Sequence, residues 1–91
     1  MRIDLFLKYV CLVKSRSRAQ ALCQEGAVTI NARPARPSSQ VNEGDRLELV
    51  LPGRRLIIGI EQVPARQLSK HDAPDAYRVE MDERTTRDDQ L

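Results

Sequence analysis

The hydrophobic period of this chain changes once, at Gly26, and that change decides the fold class. Before Gly26 the apolar residues recur at helical spacing, and after it they alternate. Ile3, Phe6 or Leu7, Val10 and Val13 share one helix face, so a first helix is predicted over 5–13 with Asp4 as its N-cap. In KSRSRAQALCQEG, Ser17 and Gln20 have capping-box spacing, and Ala19, Leu22 and Cys23 line one face. A second helix is predicted over 18–25, packed on the first. Gly26 stands where a left-handed residue stops a helix.

Val28 and Ile30 then alternate with Thr29 and Asn31, as in a strand. Asn31-Ala32-Arg33-Pro34 reads as a turn, and Pro34, which cannot donate to a ladder, belongs at a turn or sheet edge. Pro37-Ser38-Ser39 reads as a loop, Val41 returns to the core, and Glu43-Gly44-Asp45 is a turn signal. Leu47, Leu49 and Leu51 mark a second strand. Pro52-Gly53-Arg54-Arg55 connects it to a third, Leu56 to Val63, in which Gly59 marks a bulge or a close approach. Past Val63 the pattern fades. Pro64, Pro74 and the acidic residues after 80 read as a loosely ordered acidic tail, with a short helix near 75–83 as the other option. The expected class is α+β: two short N-terminal helices packed on a small antiparallel sheet. Residues 1–63 form the domain and 64–91 a C-terminal extension, partly flexible or a short helix.

Ninety-one residues leave no room for a second catalytic module. Aromatic residues are only 3%, which excludes modules that stack bases on a row of rings. No apolar run approaches the ~18 residues of a membrane span, and Arg2, Asp4 and Lys8 break up any signal-peptide core. Cys11 and Cys23, with no CxxC and a single His71, exclude a common zinc site. No cofactor is implied, and a cytoplasmic protein with reduced thiols is expected. The two cysteines read as small apolar groups, with a redox pair between the helices as the alternative. His71 lies in a loop beside Asp72 with no nucleophile in motif context, so no catalytic residue is nominated and the chain is read as a non-enzyme.

The net charge of +2 hides a division. Residues 1–37 carry seven basic and two acidic groups, the middle is balanced, and residues 60–91 carry five basic and eight acidic groups. A basic N-terminal third points to a polyanion. Arg16 and Arg18 flank Ser17 at the start of the second helix, where cations oppose the helix dipole unless an anion sits between them. A phosphate resolves that conflict, because free amides, the dipole and the Arg forks converge on it. Arg2 and Lys14 bracket the first helix, Arg33 and Arg36 stand at the ends of the turn after the first strand, and Asn31 can bond a base edge, a ribose hydroxyl or its own turn. Candidate RNA-binding residues are therefore Arg2, Lys14, Arg16, Ser17, Arg18, Asn31, Arg33 and Arg36. Plainer roles stand beside these: Arg2 paired with Asp4, Ser17 as a cap, Asn31 as a turn former, and Lys8, Arg54 and Arg55 as solvated charges.

Many positions agree in order and spacing with one family. Arg2, Ile3, Asp4, Phe6 and Leu7, then Ser15, Arg16, Ser17, Ala19, Leu22 and Gly26, resemble the S4 RNA-binding domain. The likeness continues through Val28, Ile30, Asn31, Arg33, Arg36, Pro37, Ser38, Ser39, Val41, Gly44 and Asp45, so it covers about residues 1–50. Within the family the chain looks most like the small stand-alone bacterial members, the heat-shock S4 proteins and the RqcP-type quality-control factors. That resemblance implies the S4-like (alpha-L) fold. It further implies contacts to large-subunit ribosomal RNA and to tRNA on a large ribosomal subunit still holding peptidyl-tRNA, in rescue of stalled translation. A quality-control protein factor is an implied further partner. The alternatives are a regulator of another structured RNA (mRNA or tRNA) and a protein-interaction adaptor using edge strands and the acidic tail. No membrane contact is implied, and without an obvious apolar patch the chain is expected to be a monomer. Two departures stand out. Family members commonly carry Gly after the residue matching Asn31, whereas Ala32 stands here. Ala costs roughly 1 kcal/mol more than Gly at positive φ, which predicts a different turn type with Pro34 fixing its far side. The C-terminal region is short and acidic, where the longer heat-shock relatives carry a basic extension.

Overall fold

The computed structural model describes residues 1–84. Helix α1 runs Ile3–Tyr9 and helix α2 Arg16–Gln24. Ile3, Phe6, Leu7, Val10 and Val13 are all buried, so the predicted stripe is the packed face. The helix itself ends earlier than residue 13. Val10 is its C-cap, and Cys11 takes a left-handed φ of 61°, which turns the chain back toward α2. Asp4 is not the cap that the spacing suggested. Arg2 occupies that position, and Asp4 sits inside the first turn, fully buried.

The cap of α2 is also displaced. Ser15, not Ser17, accepts the Arg18 amide at 3.1 Å, and the helix starts two residues before the predicted 18. Gln20, freed from a capping box, donates to Asp4 instead. Gly26 ends α2 as predicted, at φ 77°. The Gly26 amide donates to the Cys23 carbonyl and the Ala27 amide to the Leu22 carbonyl, the paired bonds of a Schellman stop.

Five antiparallel strands follow: β1 (Val28–Ile30), β2 (Arg33–Pro34), β3 (Arg46–Leu51), β4 (Arg54–Ile60) and β5 (Tyr77–Arg84), in spatial order β2-β1-β3-β4-β5. Pro34 is on the edge, where its missing N–H costs nothing. Ile30 pairs with Arg33 across a two-residue turn, in which Asn31 (φ 50°) and Ala32 (φ 70°) are both left-handed. The primed turn is therefore kept, contrary to the expectation from Ala32. Asn31 supplies the reason. Its side-chain amide donates to Asp45, its side-chain oxygen accepts the Arg46 amide, and its own N–H donates to the Arg46 carbonyl at 2.7 Å.

One core joins both layers. Phe6, Leu7 and Leu22 from the helices meet Val28, Leu47, Leu49, Leu56, Ile58 and Ile60 from the sheet, and Val41 is buried as expected. The option of a helix near 75–83 is overturned. Ala73–Ala76 is a single 3₁₀ turn opened by Pro74, and Tyr77–Arg84 is strand β5, paired with β4 along its length. The Ala76 carbonyl accepts the amides of both Glu61 and Gln62, which sets the strand down beside β4. The sheet thus continues beyond residue 63, and the part of the predicted acidic tail at 85–91 lies outside the described residues. Gly59 marks a close approach: a Cβ there would stand 3.1 Å from Arg78 Nη2 and 3.1 Å from Glu80 Oε2. The ladder irregularity falls instead between Ile57 and Ile58. Both cysteines are free thiols, Cys23 buried and Cys11 half-buried. Among the described residues no helix is long and apolar enough to cross a membrane.

Candidate nucleic-acid interface

The helical end of the molecule is built around the Asp4 carboxylate. Arg2 places Nε 3.2 Å from Oδ1 and Nη2 3.1 Å from Oδ2. Arg16 Nε donates to Oδ2 at 3.1 Å, Gln20 at 3.0 Å, and the Leu5 amide to Oδ1 at 2.8 Å. Burial alone would raise the Asp4 pKa. The bonds from Gln20, Arg2, Arg16 and the Leu5 amide outweigh it and hold the carboxyl below its ordinary range. One buried anion therefore ties the start of α1 to the first two turns of α2. The plain pairing of Arg2 with Asp4 is real, yet the Arg2 and Arg16 side chains stay 39% and 43% exposed. Their outer N–H groups are held at the surface in fixed orientation.

The 36–40 loop closes on the same end. The Ile3 amide donates to the Ser39 carbonyl, the Asp4 amide to the Pro37 carbonyl, and Arg2 bridges Gln40. Arg36 thus stands by the start of α1, with its backbone amide on Ser39 Oγ at 2.9 Å. Arg33 is exposed on β2 beside a shallow depression lined by Ile30, Asn31, Pro34 and Ser39. Asn31 is a turn former with both ends of its amide engaged inside the fold. Ser17 is exposed in the first turn of α2 and caps nothing.

A groove opens on the other side of the α1–α2 junction. It is lined by Lys8 of α1, by Lys14, Ser15 and Arg18 around the start of α2, and by Gln67 and Lys70 of the segment before β5. Lys8, read from sequence as a solvated charge, donates to Gln67 at 2.8 Å. The Gln67 amide nitrogen in turn lies 3.1 Å from the Lys8 carbonyl and 3.2 Å from that of Tyr9, so it caps the C-terminal end of α1. Sequence reasoning missed Lys8, Gln67 and Lys70. No local signal marks them, because Gln67 meets Lys8 from 59 positions away.

The sheet end is electrostatically different. Arg46 pairs with Glu80, Arg54 with Asp82, Arg55 with Glu48, and Arg78 with both Glu61 and Glu80. Arg54 and Arg55 are thus neutralised in place rather than simply solvated. Among the described residues, Lys14, Arg18, Arg33 and Arg36 form no ion pair. Pairing consumes the arginines of β3, β4 and β5 and leaves Lys14, Arg18, Arg36 and Arg33 on the β2 edge available to a polyanion. Nor do the described residues gather three His, Cys, Asp or Glu side chains fit to hold a metal. Burial, and secondarily the charge of Asp4, push the Cys23 thiol up, so it is protonated at neutral pH and inert as a nucleophile.

Comparison with known proteins points the same way. The S4 domain family profile matches residues 1–47. The RQC P-site tRNA stabilizing factor of Halalkalibacterium halodurans is 33% identical over 84 residues, which are 91% of this chain and 93% of that one. The protein of the same name from Helicobacter pylori is 41% identical over 68 residues, 75% of each chain. Among solved structures, Vibrio cholerae Heat Shock Protein 15, described as trimeric, matches with a TM-score of 0.82 and 28% identity, over 87% of this chain and 80% of that one.

Proposed function

This chain belongs to the S4 domain family, and from that membership we propose that it is a non-catalytic RNA-binding factor of ribosome-associated quality control. It works in the cytoplasm, on large-subunit ribosomal RNA and tRNA, and steadies a P-site tRNA as the names of its relatives say of them. The observation that carries the reading is that, among the described residues, Lys14, Arg18, Arg33 and Arg36, on α2, the β2 edge and the segments beside α1, have no ion-pair partner, while the arginines of β3, β4 and β5 are paired with carboxylates. Lys14, Arg18, Arg33 and Arg36 meet phosphates. Arg2 and Arg16 present forks that Asp4 has already oriented, so little side-chain entropy is lost on binding. The Ser17 hydroxyl adds a hydrogen bond, and Asn31 acts by holding the hairpin that carries Arg33. The work done is a population shift. The domain adds binding energy to one tRNA position and performs no chemistry. It acts as a monomer beside a further quality-control protein factor.

The test is sedimentation of the tagged protein from lysate through a sucrose gradient at low and moderate salt. Wild type should travel with the large subunit at low salt and leave it at moderate salt. Joint Lys14→Ala and Arg18→Ala substitution should release it at low salt, while Arg54→Ala should not. Equal loss in both variants, with both folded, sinks the proposed face. Wild type resting at the top at low salt moves the target to a smaller RNA, such as a messenger or free tRNA.

A further inference from the structure

The groove lined by Lys8, Lys14, Arg18 and Lys70 is more than a charged surface. Its lining is mainly apolar, with half-buried Leu12 and Leu51 facing it and Leu22 beneath. Among the described residues no acidic side chain lines it. At about 920 Å³ it falls within the ~300–1,000 Å³ range of small-ligand sites. Resting on the RNA-binding reading above, we propose that this groove seats one unstacked nucleotide of the bound RNA. The base lies on the Leu12–Leu51 floor, and the two flanking phosphates sit on the lysines and arginine that line it.

Three features point to that occupant. First, four cations, Lys8, Lys14, Arg18 and Lys70, line a groove whose remaining surface is mainly apolar, which suits a ligand that carries anions around a flat uncharged centre. A duplex offers phosphates but keeps its bases stacked inside, and would leave the floor unfilled. A splayed single-stranded nucleotide offers both. Second, the groove is preformed. The left-handed Cys11 turns the chain from α1 toward α2, and the Gln67 cap and the Leu68 amide on the Tyr9 carbonyl (3.0 Å) fix the 67–70 segment to the end of α1. A non-glycine residue held at positive φ costs energy that the surrounding bonds must offset. Third, the chain has almost no aromatic residues for base stacking, so an aliphatic floor is its available platform.

The experiment uses the full chain and purified large subunits carrying tRNA. A benzophenone photo-crosslinker replaces Leu12 in one protein and Arg54 in another, and the affinity of a joint Lys8→Ala, Lys70→Ala variant is measured beside wild type. The Leu12 position should crosslink to the base of one unpaired nucleotide, and the Arg54 position should not. The double variant should bind about tenfold more weakly, with a salt slope smaller by about one to two. Crosslinks from Leu12 only to duplex RNA or only to protein overturn the proposal, as does wild-type affinity in the double variant. In those cases subunit binding persists, and the RNA-binding reading survives alone. Absence of subunit binding by wild type overturns the proposal together with the large-subunit target on which it rests.

Discussion

Asp4 is the residue on which the helical end depends. Its carboxylate is fully buried and accepts from Arg2, Arg16, Gln20 and a backbone amide. Hydrogen bonds to charged groups are worth roughly 1.5–3 kcal/mol each at most, and here the two arginines are about two-fifths exposed and partly screened. Asp4→Ala is therefore expected to cost about 2–3 kcal/mol in all. For a chain of this size that lowers the thermal midpoint by on the order of 10 °C, measurable by circular dichroism. The pH dependence has a definite sign. The folded carboxyl sits below its ordinary value of 3.8, so as pH falls the unfolded chain takes up the proton first. The contribution is complete well above 3.8 and is lost below it, as pH approaches the depressed folded value. The stability gap between wild type and Asp4→Asn should accordingly narrow below pH 4; a gap constant from pH 7 to 3 contradicts the assignment. Ala32 is the opposite case, a residue that the fold tolerates at φ 70°. Ala32→Gly should raise stability by about 0.5–1 kcal/mol in denaturant melts and leave RNA affinity unchanged, since no side chain is lost from the proposed face.

At the level of elements, β5 separates what sequence could say from what it could not. α1, α2, β1 and β3 each bury one face, and β4 is a continuous apolar run buried from Leu56 to Ile60, so hydrophobic pattern alone located them, to within a few residues at the ends. β5 is an edge strand: of YRVEMDER, only Tyr77 and Met81 are half-buried, and Val79 is 50% exposed. Tyr77, Val79 and Met81 do alternate with Arg78, Glu80 and Asp82, but the surrounding charges and Pro74 read as a tail and masked that strand signal. Those charges pair with Arg54 on the adjacent β4 and, one strand further, with Arg46 on β3, which only the register reveals. The caps failed for a related reason. Ser15 and Ser17 are equivalent in composition, and the choice between them was made by the left-handed turn at Cys11. The proposed face was legible where it is local, at Lys14, Arg16 and Arg18, and illegible where Lys70 and Gln67 arrive from the far end of the chain. The strand assignment has a consequence for truncation. Ending the chain after Ala76 unpairs one whole edge of β4 and uncovers Ile57 and Ile58, residues worth about 1.5–3 kcal/mol each when buried. That is comparable with the entire stability of a small domain. The shortened chain should show no cooperative melt. If the chain ending at 76 melts like the full one, β5 contributes nothing to the fold.

The whole molecule behaves as two electrostatic halves, and salt is the measurement that separates them. Each neutralised phosphate releases condensed counterions, so log affinity falls with log salt by roughly 0.7–0.9 per contact. A one-to-one pair of arginine and carboxylate carries no net charge and gains little from a phosphate, whereas Arg2 and Arg16 share the single Asp4 carboxylate and together keep a net charge of +1. Arg54, bonded to Asp82 at 2.9 and 3.0 Å, and Arg55, bonded to Glu48, should therefore contribute nothing to the slope. Lys14 and Arg18, with no ion-pair partner among the described residues, should contribute fully. Measured for large subunits across a salt series, joint substitution of Lys14 and Arg18 by Ala should shrink the slope by about 1.5, and joint substitution of Arg54 and Arg55 should leave it unaltered. The reverse pattern would place the RNA on the sheet. An equal, small change in both would mean that the net charge of +2, and not its arrangement, sets the affinity. A segregated field is the stronger expectation, because the two halves differ in pairing, not in their number of arginines. The acidic residues of β5 neutralise the sheet and so leave a single basic face with which to approach RNA.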